Sequence, residues 1–200
     1  MSVPNDMAGL TTALRDLAAA ATRAADALEA DIVRAATMVR DTVRGGGTLF
    51  FCGNGGSAAD AQHLAAEYVV RYQRARRACA AVALTTDTSI LTAAGNDMGF
   101  EHVFARQVQA LARRGDLLVI HSTSGNSPNV LRAARAAREK GVKTLGFAAK
   151  DGGALAKEAD HMVIVPTDRT DRAQEIHLCI EHLICEIVER EVIDRADDAK

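Results

Sequence analysis

Two helical stretches carry the side chains best able to move a proton. His63 and Glu67 stand four residues apart within the helical pattern 57–72, which puts an imidazole and a carboxylate on one helix face. Gln174, His177 and His182 lie in a second helical stretch, 173–192. At 3.6 residues per turn, the eight residues from Gln174 to His182 bring them about 80° apart, so both can face one cleft. Taken alone, His63 and Glu67 read as a surface ion pair. Together the two helices offer a carboxylate that can take a proton beside a carbonyl and an imidazole that can give one. The same N and O donors suit Zn²⁺.

Two strand-to-helix turns could hold the rest of a substrate. His121-Ser-Thr-Ser-Gly-Asn-Ser127 leaves an apolar strand, and Pro128 sits at the first position of the helix that follows. Hydroxyls, free amides and a helix N-terminus converge there, an arrangement suited to a phosphate monoester without a fixed lysine. The other turn, Cys52-Gly-Asn-Gly-Gly-Ser57, lets backbone approach a ligand closely and places Ser57 as an N-cap. Its glycines do not have the dinucleotide-binding spacing, and no P-loop lysine follows.

The elements that must position these groups alternate along the chain. Residues 7–44 are Ala-rich, with no Gly or Pro between Leu10 and Arg44. They read as two helices with a break near Glu29 and an apolar stripe of Leu10, Leu14, Leu17, Ala21, Ala24 and Leu28 suited to packing on a helix of a second subunit. Strands are expected at 48–52, 79–84, 116–121, 142–147 and 161–165, with helices at 57–72, 100–113, 128–140, 154–160 and 173–192. Crossover connections of this kind give a parallel sheet covered on both faces. The fold class is α/β, a three-layer sandwich around a five-stranded parallel sheet. The expected organisation is a helical extension at 1–44, the α/β domain at 45–193 and a flexible tail at 194–200.

Composition removes several other classes. Twenty-four Lys and Arg against 26 Asp and Glu leave a net charge of -2, which provides no broad positive field for nucleic acid. Aromatic residues are 4% of the chain and Trp is absent, so base-stacking platforms are not expected. The four cysteines, Cys52, Cys79, Cys179 and Cys185, form no C-x-x-C pair and read as buried thiols in a reducing compartment. No apolar run is long enough to span a bilayer, and no signal-peptide core is evident, so the expected location is the cytoplasm with no membrane partner.

These residues resemble the sugar isomerase (SIS) domain family, most closely its phosphoheptose isomerase branch. The matching stretches are Cys52-Gly-Asn-Gly-Gly-Ser-Ala-Ala-Asp-Ala-Gln-His63, Ala83-Leu-Thr-Thr-Asp-Thr-Ser-Ile-Leu-Thr-Ala93, Gly95-Asn-Asp97, Ser122-Thr-Ser-Gly-Asn-Ser127 and Gln174-Glu-Ile-His177. The resemblance implies the SIS fold and a homotetramer with active sites at subunit interfaces. It implies conversion of sedoheptulose 7-phosphate to D-glycero-D-manno-heptose 7-phosphate through an enediol, the first step of nucleotide-activated heptose synthesis. Ser122, Thr123, Ser124 and Ser127 would hold the phosphate. Asn54, Gly55, Gly56, Ser57, Asp97, Asp171 and Gln174 would contact the sugar or shape its site. Glu67 would be the general base and His182 the general acid, and a Zn²⁺ per subunit would be bound through His63, Glu67, Gln174 and His182.

A tension accompanies that implication. Burial raises a carboxylate's pKa, which suits a base, whereas a metal lowers it, so Glu67 cannot serve fully as both. The sequence also departs from the family pattern. Residues 73–79 contain no Pro and follow Arg71 with Arg74, Arg76 and Arg77, a basic cluster that reads as solvated surface. His121 stands where an apolar residue or Gly is expected, and reads as a hydrogen-bonded structural residue. Three alternatives follow: an isomerase of another ketose phosphate, a non-catalytic SIS module that binds a partner such as a replication initiator, and a sugar-phosphate-sensing regulatory domain. The binding module is expected to lack the acid at 67 and the histidine at 182, and the regulator to carry a DNA-binding element that the first 44 residues do not supply.

Overall fold

The computed structural model describes residues 9–197. A 35-residue helix, α1 (Leu10–Arg44), leads into β1 (Leu49–Gly53) and α2 (Gly56–Val69). Then come β2 (Ala81–Ala83), α3 (Thr88–Met98), α4 (Val103–Leu111), β3 (Leu117–His121), α5 (Pro128–Glu139), β4 (Lys143–Ala149), β5 (His161–Val165) and α6 (Thr170–Asp197).

All strand pairings are parallel, in the order β2-β1-β3-β4-β5. Alternate strand residues feed two cores. Leu49, Phe51, Leu117, Val119, Leu145 and Phe147 pack with residues of α1, α2 and α6. Phe50, Cys52, Leu118 and Ile120 pack with residues of α3, α4 and α5. The expected three-layer α/β fold with five parallel strands is therefore the observed one.

Several expected elements change. The N-terminal region is one unbroken helix, because Ala-rich sequence propagates helix through Glu29 and the chain stops only at Gly45-Gly-Gly47. Gly46 has φ +75° there, and Gly47 N–H donates to Thr42 O at 2.9 Å, closing the end. The buried face of α1 includes Ala20, Ala24, Leu28, Ala35, Val39 and Val43, with Leu17 partly buried, and it packs on α6 and β5 of the same chain. Leu14 and Ala21 are exposed, and the Leu10 side chain lies outside the described residues.

Segment 100–113 divides into a 3₁₀ turn at Phe100–His102 and then α4, while 154–160 forms only a 3₁₀ stretch, Gly153–Lys157. Helix α6 continues through 194–197, so that part of the expected tail is helical, and 198–200 lie outside the described residues. Cys179 is exposed, unlike the other three thiols. Among the described residues, no helix is long and apolar enough to cross a membrane.

The sheet order fixes where a ligand belongs. From β1 the chain crosses to β2 on one side, and from β3 it crosses to β4 on the other, so the crevice lies beyond the paired ends Gly53 and His121.

Candidate active site

The two turns identified in the sequence flank this crevice. Asn54 follows β1 and Asn129 lies in the first turn of α5. Their side-chain amides bond reciprocally, Nδ2 of each donating to Oδ1 of the other at 2.9 and 2.8 Å. This bridge ties the two loops together across the switch point. Asn129 is 2% exposed and escaped the sequence reading, in which it had no partner. A cleft of about 510 Å³ opens beside it, lined by Asn54, Phe100, Glu101, Ser127, Pro128 and Arg132. A larger cleft of about 670 Å³, lined by Arg34, Arg114, Asp116 and Lys143, involves the opposite, amino-terminal ends of the strands.

The hydroxyl loop is folded as a compact cup. Ser122 is buried, and its N–H donates to Phe147 O at 3.0 Å while Gly125 N–H donates back to Ser122 O at 2.9 Å. Gly125 has φ +63°, and a Cβ there would meet Gly152 O at 1.9 Å, so only glycine lets the loop lie against the turn after β4. Thr123 is half-buried and Ser124 exposed, its Oγ accepting from Asn126 N–H at 3.3 Å. Ser127 is the N-cap of α5 with no side-chain capping bond. If this cup holds a phosphate, Ser124→Ala is expected to raise KM for a phosphorylated sugar several-fold with little change in kcat, because it would remove a contact made equally in ground and transition states. Steady-state kinetics check this, and an unchanged KM would place the phosphate elsewhere.

The first turn differs from expectation in one respect. Gly55, at φ +58°, is the N-cap of α2, and Ser57 is a buried residue inside the first helical turn. Gly56 faces Gln174, whose Nε2 would lie 2.7 Å from a Cβ at that position, so the side chain of Gln174 covers the start of α2.

Helices α2 and α6 bring three of the four expected metal ligands together. His63 Nε2 lies 2.8 Å from His182 Nε2 and 3.4 Å from Glu67 Oε1. Their donor atoms all fall within 4.8 Å of one another. Gln174 is not brought to this trio, since its contact with Gly56 is two turns, about 12 Å of helix rise, from His182. Asp97 is exposed near the end of α3, on the opposite face of the sheet, accepting from Asn96 Nδ2 at 2.7 Å. Asp171 is exposed in the first turn of α6, accepting from Arg169 Nε and Nη2 at 3.1 and 2.6 Å. That pairing holds its pKa at about 2.

Electrostatics beneath the trio are set by burial. Desolvation, then the neighbouring His63, lowers the His182 pKa, with Glu67 opposing. A neutral imidazole is the form that ligates a metal, so this trio fits Zn²⁺. His121, stacked against Phe51 and Phe147, has its Nε2 at 2.8 and 2.9 Å from the two oxygens of Glu181. Burial opposes charge on His121, and Glu181 outweighs it, raising the His121 pKa. The reading of His121 as a hydrogen-bonded structural residue holds, and Glu181 is the partner the sequence did not reveal.

His177 behaves oppositely. It is buried, with Nε2 2.9 Å from Ala148 O. Desolvation first, then His121, lowers its pKa to about 4, against the Ala148 hydrogen bond. The unfolded chain therefore binds more protons between about pH 6.5 and 4, and stability falls as pH drops through that window. The expected loss is on the order of 3 kcal/mol from this residue. Urea unfolding at pH 7 and 4.5 measures it, and His177→Gln is expected to flatten the dependence.

The basic segment also differs from the sequence reading. Arg71, Arg74 and Arg77 are exposed, whereas the Arg76 side chain is only 4% exposed and paired with Glu189. The sequence alone reads Arg76 as solvated surface because its partner lies 113 residues away.

The SIS domain family model matches residues 14–149. A phosphoheptose isomerase of Roseiflexus sp. (strain RS-1) is 54% identical over 82% of this chain and 83% of its own length. One from Akkermansia muciniphila is 50% identical over 85% and 90%. The solved phosphoheptose isomerase of Neisseria gonorrhoeae superimposes with TM-score 0.86 at 43% identity, covering 90% of this chain and 97% of that one. That of Francisella tularensis gives 0.89 at 32% identity, covering 93% and 99%. The chain belongs to the SIS domain family, in the branch whose members are named phosphoheptose isomerase.

Proposed function

We propose that this protein is an aldose-ketose isomerase that converts sedoheptulose 7-phosphate to D-glycero-D-manno-heptose 7-phosphate. The observation that carries the reading is the convergence of Glu67, His63 and His182 on the facing sides of α2 and α6. A binding-only SIS module has no need of an acid and an imidazole so placed. The names of the relatives supply the substrate class.

In this mechanism the Ser122–Ser127 cup holds the phosphate through hydroxyls, amides and the N-terminus of α5. The Glu67 carboxylate takes a proton from C1 of the ketose and returns it to C2. His182 donates a proton to O2 as the cis-enediol forms and takes the O1 proton as the aldehyde develops, so the acid is regenerated and the product has the same composition as the substrate. His63 Nε2, Glu67 Oε1 and His182 Nε2 would hold Zn²⁺, and with the metal in place only Glu67 Oε2 and His182 Nδ1 would be left for the proton transfers. When bound, the metal would polarise the sugar oxygens as a Lewis acid.

We place the protein in the cytoplasm as a homotetramer with active sites at subunit interfaces. Val33 and Leu183, exposed along the groove between α1 and α6, support an interface there. Asp97 and Asp171, apart from the trio within one chain, are the groups that a neighbouring subunit would bring to the site.

Purified protein offered ketose phosphates of five, six and seven carbons tests the substrate assignment by proton NMR. The highest kcat/KM is expected for sedoheptulose 7-phosphate. Preference for a six-carbon ketose would shift the reading to another sugar-phosphate isomerase.

A further inference from the structure

The segment after α2 is held by a buried pair that reaches both halves of the proton-transfer site. Glu189, on α6, is 2% exposed. Its Oε1 accepts from Tyr72 N–H at 3.0 Å and Arg76 Nε at 3.1 Å. Its Oε2 accepts from the N–H groups of Gln73 and Arg74, each at 2.8 Å. Every strong acceptor direction of the carboxylate is thus used to fold residues 72–76 onto α6.

Arg76 also reaches the end of α2, while Nη1 donates in addition to Arg77 O at 3.0 Å. Nη2 donates to Glu67 O at 2.6 Å and Nη1 to Tyr68 O at 3.0 Å. These carbonyls belong to the last turn of the helix, where no intrahelical donor remains, so the guanidinium caps the turn that carries Glu67. Tyr72, fixed through its own N–H, lays its ring on the imidazole of His182, with centroids 5.2 Å apart and planes at 21°. Neither contact follows from the chemistry assigned above to Glu67 and His182.

We infer that Tyr72 is a positioning residue for His182, set in place by the buried Arg76–Glu189 pair. The inference rests on the isomerase reading. The His182 side chain is half-buried and has rotamers available on its open side. A flat ring stacked on one face removes part of that freedom and holds the imidazole toward His63 and Glu67. The energetic sense is preorganisation: an acid misplaced by about 1 Å can cost up to 10²-fold in rate without weakening substrate binding.

Two substitutions at the half-buried Tyr72 test this, with thermal melts confirming that both variants fold. Tyr72→Leu is expected to lower kcat for sedoheptulose 7-phosphate about tenfold with KM within about twofold of the parent. Tyr72→Phe, which keeps the ring, is expected to restore kcat to within about twofold. The His182 ring protons, assigned by comparison with His182→Asn, should lose their ring-current shift in Tyr72→Leu and keep it in Tyr72→Phe. A Leu variant with unchanged kcat, or a Phe variant as impaired as the Leu variant, would overturn the inference. If the parent protein fails to turn over the substrate, the isomerase reading fails on its own. The NMR comparison then decides the positioning role, and His182 signals unchanged in Tyr72→Leu would refute it.

Discussion

Glu67→Gln is expected to lower kcat by about 10³-fold, within the range that a positioned general base contributes. The amide is nearly isosteric and the side chain is 20% exposed, so the fold should survive the change. His63 Nε2, 3.4 Å from Glu67 Oε1, keeps a hydrogen-bonding neighbour in the variant. Substrate binding should therefore be retained, and the loss should appear in kcat while KM stays close to that of the parent. Steady-state rates together with calorimetric titration of the substrate separate the two. A variant that retains near-normal turnover would remove Glu67 from the mechanism.

His182→Asn is the second large effect, an expected fall in kcat of about 10²-fold or more. This residue is proposed both as acid and as ligand, and the two roles leave different signatures. Asn removes one of three converging donor atoms, so affinity for Zn²⁺ alone should fall in a direct titration. If His182 also gives a proton, saturating Zn²⁺ will not restore kcat. Full restoration by excess metal would confine His182 to ligation and move the acid role to another group.

Much of the fold and the His63–Glu67 pair was legible in the sequence because both rest on local periodicity. The strand 161–165 matches β5, and the hydroxyl loop with Pro128 at the first helical position gave the start of α5. The i, i+4 spacing put His63 and Glu67 on one face, and the structure meets them with His182. Helix α3 received no assignment because 85–89 is a run of Thr, Asp and Ser. Its signal was present in Asp87, whose side chain accepts from Ile90 N–H at 3.0 Å as an N-cap just before an apolar run.

What stayed hidden is long-range. Asn129 has meaning only opposite Asn54, 75 residues away, and His121 only against Glu181, 60 residues away. Arg76 looked like one of several surface cations because Glu189 reaches it across 113 residues. Ser57 was misplaced as a cap by a different cause. A left-handed Gly55 can begin the helix two residues earlier than a hydroxyl signal would place it.

The most direct test of the proposed chemistry is proton NMR of the purified protein with sedoheptulose 7-phosphate in D₂O. An enediol mechanism with an exchanging carboxylate predicts D-glycero-D-manno-heptose 7-phosphate carrying deuterium at C2. Substrate that is bound yet unchanged, with and without added Zn²⁺, would contradict it.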